Sequence, residues 1–431
     1  MVSDDDARDR ARDDARARDV GAQLLAWLRE GEALLYLAGR GFGPPRVARL
    51  GREVARIDAL DDDPARAAQD VRGFLDAVSL ARVDATVCAL LSYEASVALD
   101  PRAPRRVVDR ALGPLALAHV LLDDDDDVVA DDANASKDAL PAITLTPARG
   151  ARAHHHRTVT SCIEAIRDGT LYQANLAHAL TVSSTGAAPF GPRLLDEQSL
   201  ARLFVENTRA GAPPFAAYLK TPDVSLASLS PECFLAFDLS RRTVRAFPIK
   251  GTRPRGGTPD DDARLREELL ASEKDRAEHV MIVDLLRNDL SRVCRAGSVT
   301  VTSLMHVVSA PNVHHLESTI EGALADDVTL TDLFVACAPG GSITGAPKST
   351  AIERIHMSEA RARGPYTGNL VVLSPSGQGV ASILIRTIVR APTGEAALHV
   401  GGGIVVDSDP DDEWRETIVK ARAFGEVDDA P

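Results

Sequence analysis

"ALHVGGGIVVDSDPDDEWRETIVKARAF", residues 397–424, sets two periodicities side by side. Its first part is apolar and β-branched with three consecutive glycines, which reads as a strand that another group approaches closely. Past Pro410 the period changes. Glu413, Glu416 and Lys420 fall at i, i+3 and i+7 on one helix face, with Trp414, Ile418 and Ala421 on the other. Further strand candidates are 227–239, 243–249, 368–374 and 382–391, and helix candidates are 261–294, 331–337, 346–360 and 411–425. They mix without the regular alternation of a doubly wound sheet, so the expected class is α+β.

The 431 residues can bury a large core, as one big domain or as two to three ordinary ones. A hydrophobic share of 45% with 26% charged residues is that of a globular protein, and no apolar run approaches the ~20 residues that cross a bilayer. The start, "MVSDDDARDRARDDARARDV", has no apolar segment and fits neither a secretory signal nor a transit peptide, so a soluble, cytoplasmic protein with a frayed stretch at 1–20 is expected. The acidic stretch 123–141 reads as a surface loop between an N-terminal part, 21–150, and a longer part, 151–427. Five cysteines, at 88, 162, 233, 294 and 337, show no metal spacing and are expected as buried thiols in a reducing compartment. The run His154–His156 points its neighbours in different directions and reads as surface histidines. With a formal net charge of −14 the surface repels nucleic acid, and an anionic ligand needs local cations to overcome that field.

Four features invite a chemical reading, each with a plain alternative. "APGGSITGAPKSTAIERI" (338–355) lacks the contiguous Gly-Lys-Ser/Thr of a phosphate loop, because Ala346 and Pro347 separate Gly345 from Lys348. A carboxylate at the helix start is one reading, and a glycine-rich entry made for packing is the other. "SEKDRAEHVMIVDLLRNDL" (272–290) sets Asp275 and Glu278 on one helix face. With the Glu413/Glu416 face it can sandwich a hard divalent cation such as Mg2+, or each can be a solvated acidic face. Arg386, inside "SILIRTIV", is either a carboxylate clamp or half of an interior salt bridge.

Together the segments "RDGTLYQANLAHAL" (167–180), "SLSPECFLAF" (228–237), "PIKGTRPRG" (248–256), 274–290, "VHHLESTIEG" (313–322), "PGGSITGAPK" (339–348), "IRT" (385–387), 401–408 and 413–421 resemble, in order, the chorismate-utilising enzymes. Within that family they are most similar to the component I group of aminodeoxychorismate synthases. The resemblance implies a single interleaved unit with two facing β-sheets, helices outside and the site in the cleft. It implies Mg2+ as cofactor, on Glu278 and Glu416 with Glu413 beside them and Asp275 through water. It also implies that Arg386, Tyr366, Lys420, Gly401 and Gly403 grip chorismate's carboxylates, and that Ser342 and His315 flank the ring. Gln173, Thr252, Thr344 and Gly345 complete the implied substrate-binding set.

Two positions then divide the reactions of the family. Water-adding members resemble one another in a lysine base where this chain has Gln173, which cannot take a proton from water at neutral pH. Ammonia, already a nucleophile, is therefore the expected incoming group. "PIKGT" resembles the aminodeoxychorismate synthases, whereas anthranilate synthases typically have "PIAGT". Lys250 is implied as the nucleophile at C2 and Glu232 as the acid that protonates the departing C4 hydroxyl. Lys250 has to be neutral to attack, with Arg253 or Mg2+ as the candidate neighbouring cation, and Glu232 has to hold a proton. No glutaminase segment is evident, so ammonia is expected from a separate glutamine amidotransferase subunit. A tryptophan pocket is not inferred, because residues 1–85 match the family pattern poorly.

Overall fold

The computed structural model describes residues 24, 28, 33–38, 40–42, 46–103, 113–122, 142–185, 193–209, 211–309 and 313–428. The stretches 1–20 and 123–141 lie outside the described residues. From one edge, hydrogen-bonded strands run Glu426–Val427, Ala142–Pro147, Gln173–Thr185, Ala396–Ile404, Thr387–Arg390, Ser225–Ser230, Phe215–Lys220 and Leu34–Leu37. The long strand Arg46–Ile57 pairs by its start with Leu34–Leu37 and by its remainder with Ala116–Leu122, and so carries the array into a second layer. That layer continues through Val87–Leu91, Asn369–Leu373, Gln378–Ile383, Cys233–Asp238, Thr243–Ala246, Val313–Ala323 and Thr300–Ser309.

The two layers face each other, because one apolar cluster draws Leu35, Leu37 and Leu219 from the first and Leu90, Leu370 and Val372 from the second. Alternate residues of the same strands face outward under helices. Leu34 and Tyr36 pack with Leu200 and Phe204 of the helix Glu197–Arg209, while Ala89, Leu91 and Val371 pack with Phe74 and Ile282 of the helices Pro64–Ala81 and Glu273–Ser291. Strands buried on both faces explain why the sequence shows apolar runs there rather than clean alternation. The architecture is the α+β class with facing sheets expected from the sequence. All five cysteines are buried and free, and no helix among the described residues is long and apolar enough to cross a membrane.

Several expected elements are broken where the chemistry needs a corner. The helix 261–294 is two helices, Pro259–Ala271 and Glu273–Ser291, because Ser272 leaves helical conformation and caps the second by accepting the Asp275 N–H. The strand 382–391 is interrupted at Arg386, which sits at φ 51°. The strand 227–239 is two strands separated around Pro231, and 243–249 ends as a strand at Ala246, before Pro248. The expectation of surface histidines at 154–156 fails at His155, which is buried on the inner face of the helix Ala151–Arg167 against Trp414 and His178.

One buried ion pair joins the segments that surround the cleft. The Arg363 guanidinium donates through Nε and Nη2 to Glu359, through Nη1 to Ile343 O and Thr367 Oγ1, and through Nη2 to Asn175 O, so every N–H has a partner. Glu359 also accepts the Ala177 N–H, and Glu94 accepts the N–H groups of Arg363 and Gly364. Arg363 is 1% exposed. Replacing it by Met takes the buried guanidinium away from the Glu359 carboxylate, and should cost about 3–5 kcal/mol. Arg363→Lys should recover little, since one ammonium cannot reach four acceptors in a plane. Urea unfolding of the two variants checks this, and a wild-type midpoint in either would show that the pair is dispensable.

Candidate active site

The three glycines at 401–403 lie in the strand Ala396–Ile404, which pairs Gly403 with Asn175 and Gly401 with Ala177. A methyl group on Gly403 would overlap Gln173 Nε2 and stand 3.1 Å from Lys250 Nζ. Only a residue without a side chain lets those two groups meet over the strand. Beside it, a methyl on Gly402 would stand 3.0 Å from Glu413 Oε2 and 3.8 Å from Glu416 Oε1. Both carboxylates come from the helix Pro410–Ala421, whose Lys420 donates to Gly401 O at 2.8 Å and pairs with Glu416 at 2.6 Å.

Lys250 stands on the strand Ile249–Pro254, opposite Leu316, just before a bulge at Gly251 that resets the register to Thr252 opposite His315. Thr252 Oγ1 and His315 Nδ1 are 3.0 Å apart. Across the cleft, Ser342 donates to Glu232 Oε1 at 2.8 Å. Burial pushes the Glu232 carboxyl above its ordinary value, against the Ser342 hydrogen bond and the charges of Lys250 and Arg386. Burial likewise pulls the Arg386 guanidinium down while Glu232 opposes it. The Glu278 carboxyl, on the helix Glu273–Ser291, is raised by burial and lowered by Lys250 and Lys274. Burial also raises Glu413; at Glu416 burial is again the largest single influence, but Lys420, by charge and hydrogen bond, together with Lys250 and Lys274 outweighs it and the net shift is downward.

Several buried polar atoms here have no partner among the described residues: both amide atoms of Gln173, which is fully buried, and His315 Nε2. Such atoms in a cleft call for a ligand or water. Other candidates are engaged by the protein itself. Asp275 is bound to Arg253 at 2.9 Å, so that arginine answers Asp275 directly. Thr344 Oγ1 donates to Gly340 O, and Gly345, at φ 140°, is pressed against the Gln173 carbonyl where any side chain would collide. Tyr366 is buried and stacked on His399 at 5.4 Å. Lys348 pairs with Asp289 at 2.8 Å and donates to Cys337 O, which makes it a brace of the glycine-rich loop. As the side chains stand, no three His, Cys, Asp or Glu groups among the described residues converge around one point as metal ligands; Glu413 accepts from Ser408 and Glu416 is paired with Lys420.

The model of the chorismate binding enzymes matches residues 64–426. The chain belongs to this family. Aminodeoxychorismate synthase component 1 of Escherichia coli is 42% identical over 257 residues, 60% of this chain and 53% of that protein. Anthranilate synthase component 1 1 of Haloarcula marismortui is 44% identical over 266 residues, 62% and 51% respectively. The matched segment thus spans about half the length of these relatives, and identity alone does not divide the two names. Among solved structures, anthranilate synthase component I from Streptococcus pneumoniae superposes with a TM-score of 0.64 at 24% identity, covering 78% of this chain and 80% of that one. The menaquinone-specific isochorismate synthase from Escherichia coli gives 0.63 at 19%, covering 91% and 87%. These likenesses establish the chorismate-binding fold.

Sequence reasoning missed His279 and Arg363. His279 follows Glu278, is fully buried, pairs with Ser318 Oγ at 2.6 Å and feels the charge of Lys250. Its only signal was its place in "AEHV". Burial holds His155, His279, His315 and His399 down at about 4 and His178 at about 3. Between those values and the ordinary ~6.5 the unfolded chain binds protons that the folded chain refuses, so stability falls as pH drops through that window. Each group contributes up to about 1.4 kcal/mol per pH unit. Urea midpoints measured from pH 7 to 4.5 should fall steeply, and less steeply for His155→Phe. A flat profile would contradict the burial of these rings.

Proposed function

We propose that this chorismate-binding chain aminates chorismate at C4 to give 4-amino-4-deoxychorismate, the precursor of p-aminobenzoate in folate-type pathways. The observation that carries the reading is that Lys250 Nζ and Gln173 Nε2 both stand over Gly403, with Glu232, raised by burial, near enough to feel the Lys250 charge. Lys250 serves as nucleophile where an anthranilate synthase has Ala. Its amine bonds to C2 as the two conjugated ring double bonds each shift by one position and the C4–O bond breaks, Glu232 protonates the leaving hydroxide to water, and the double bonds shift back in the second displacement. Ammonia then bonds to C4, the C2–N bond breaks, and the lysine amine is released. The proton that ammonia sheds restores Glu232, so one ammonia is exchanged for one water.

The substrate's carboxylates are assigned to Arg386, Lys420, Tyr366 and the N–H groups of Gly401 and Gly403, and the ring to Ser342, His315, Thr252, Thr344 and Gly345. Glu413 and Glu416 face the hollow over Gly402 and Glu278 feels the charges of Asp275 and Glu416, so Mg2+ is assigned to Glu278 and Glu416, with Glu413 and Asp275 around it, a set whose side chains have to draw together on the ion. Bound there, the ion would neutralise the substrate's ring carboxylate. Ammonia is assigned to a separate glutamine amidotransferase subunit. The pairing of Leu34–Leu37 with Phe215–Lys220 and of Val87–Leu91 with Asn369–Leu373 supports reading 21–150 and 151–427 as one unit. The five free thiols suit a cytoplasmic setting.

The purified chain, given chorismate, Mg2+ and ammonium at raised pH followed by an aminodeoxychorismate lyase, should yield p-aminobenzoate. Anthranilate formed without the lyase would replace this reading by ortho-amination, and chorismate binding without turnover by a non-catalytic role. Lys250→Ala should lose para-amination by roughly 100-fold or more. Glu278→Gln should abolish Mg2+-dependent turnover while the far-UV spectrum stays that of wild type, and undiminished activity would refute the metal assignment.

A further inference from the structure

Two charged pairs of the cleft differ in kind. Arg363 and Glu359 are 1% and 5% exposed and share their pair with backbone groups, which makes a permanent staple. Lys420 and Glu416 side chains are 36% and 56% exposed, and the pair stands at the mouth of the hollow over Gly402, open to exchange. The proposed function, on which the present inference rests, gives these two side chains to different ligands. Lys420 is assigned to a carboxylate of the substrate and Glu416 to a divalent cation. Each ligand therefore competes with the other ligand's partner.

We infer that the Lys420–Glu416 ion pair is a latch that couples metal and substrate binding. With neither ligand present, the ammonium neutralises Glu416 and its remaining donor capacity goes to Gly401 O, so both side chains are held in place. A cation that takes Glu416 releases Lys420 to a carboxylate, and a carboxylate that takes Lys420 releases Glu416 to a cation. By linkage the gain is the same in either order. The coupling needs no movement of the backbone, since the partners sit one helical turn apart on Pro410–Ala421 and only side-chain torsions change.

Cutting either half of the latch should imitate the arrival of the ligand that normally opens it. In ammonium-free buffer, calorimetric titration with MgCl2 alone should show Lys420→Met binding about threefold tighter than wild type, the size expected of a half-exposed pair. Lys274→Met is the control. Its charge also acts on Glu278, Glu413 and Glu416, but no hydrogen bond joins it to Glu416, so its gain should be clearly smaller. From the other side, Glu416→Gln titrated with chorismate without metal should bind chorismate more tightly than wild type does. Equal Mg2+ gains in Lys420→Met and Lys274→Met would reduce the effect to net charge and overturn the latch. So would weaker metal-free chorismate binding by Glu416→Gln. If wild type binds no Mg2+ with or without chorismate, the metal assignment fails and the latch falls with it, whereas binding of both ligands with equal gains sinks the latch alone.

Discussion

The guanidinium of Arg363 is the constraint on which the cleft depends. It stands where the glycine-rich loop, the strand Gln173–Thr185, the end of the helix Lys348–Ser358 and the turn before Asn369 meet, a place too deep for water to satisfy their carbonyls. An apolar side chain would leave Ile343 O and Asn175 O without donors, which is costly when buried. Arginine supplies donors in a plane at fixed angles, and Glu359 supplies the counter-charge that makes its burial tolerable. Through Ile343 the pair fixes Ser342, the donor to Glu232, and through Asn175 it fixes the strand that starts at Gln173. Gln173 and Glu232 thus share one rigid reference.

Missing side chains shape the cleft as much as present ones. Gly403 leaves room for Gln173 and Lys250 and Gly402 for Glu413 and Glu416, side chains that come from three separate elements. Into the same region the chain concentrates Lys250, Lys274, Lys420 and Arg386, although its formal net charge is −14. The acidic surface does not by itself exclude an anion from this region, because screening cuts off its field within about 10 Å, while half-buried charges act over a few ångströms.

Much of this was legible in the sequence because the groups that act are unusual for their surroundings. An arginine in an apolar run, three adjacent glycines in a strand, and carboxylates at helical spacing each break a local pattern, and the structure gathers these segments around one cleft. Interruptions were harder to see. Pro231 and Ser272 mark breaks only after the fact, since proline also occurs at strand edges and serine within helices. Arg386 gives no hint of its positive φ. The buried histidines were hidden because burial is a tertiary property: His155 sits in a run of three, and only the arrival of Trp414 and His178 from elsewhere in the chain covers it. Arg363 escaped notice for the same reason, as every one of its acceptors but Glu359 and Thr367 is remote in sequence.

The Ser342–Glu232 bond looks at first to work against the acid. A hydroxyl that donates to a carboxylate favours the ionised form, and Lys250 and Arg386 favour it too, yet burial prevails and the group is raised. The bond instead settles where the proton sits. Because Oε1 accepts from Ser342, a protonated Glu232 carries its hydrogen on Oε2, and rotation to exchange the two oxygens would break the bond. Without Ser342 the Glu232 carboxyl would be raised further but lose this orientation. The lowering of the pKa by the bond is offset by direction, which the general acid of the proposed reaction would need to meet a leaving hydroxyl at one fixed place above the ring.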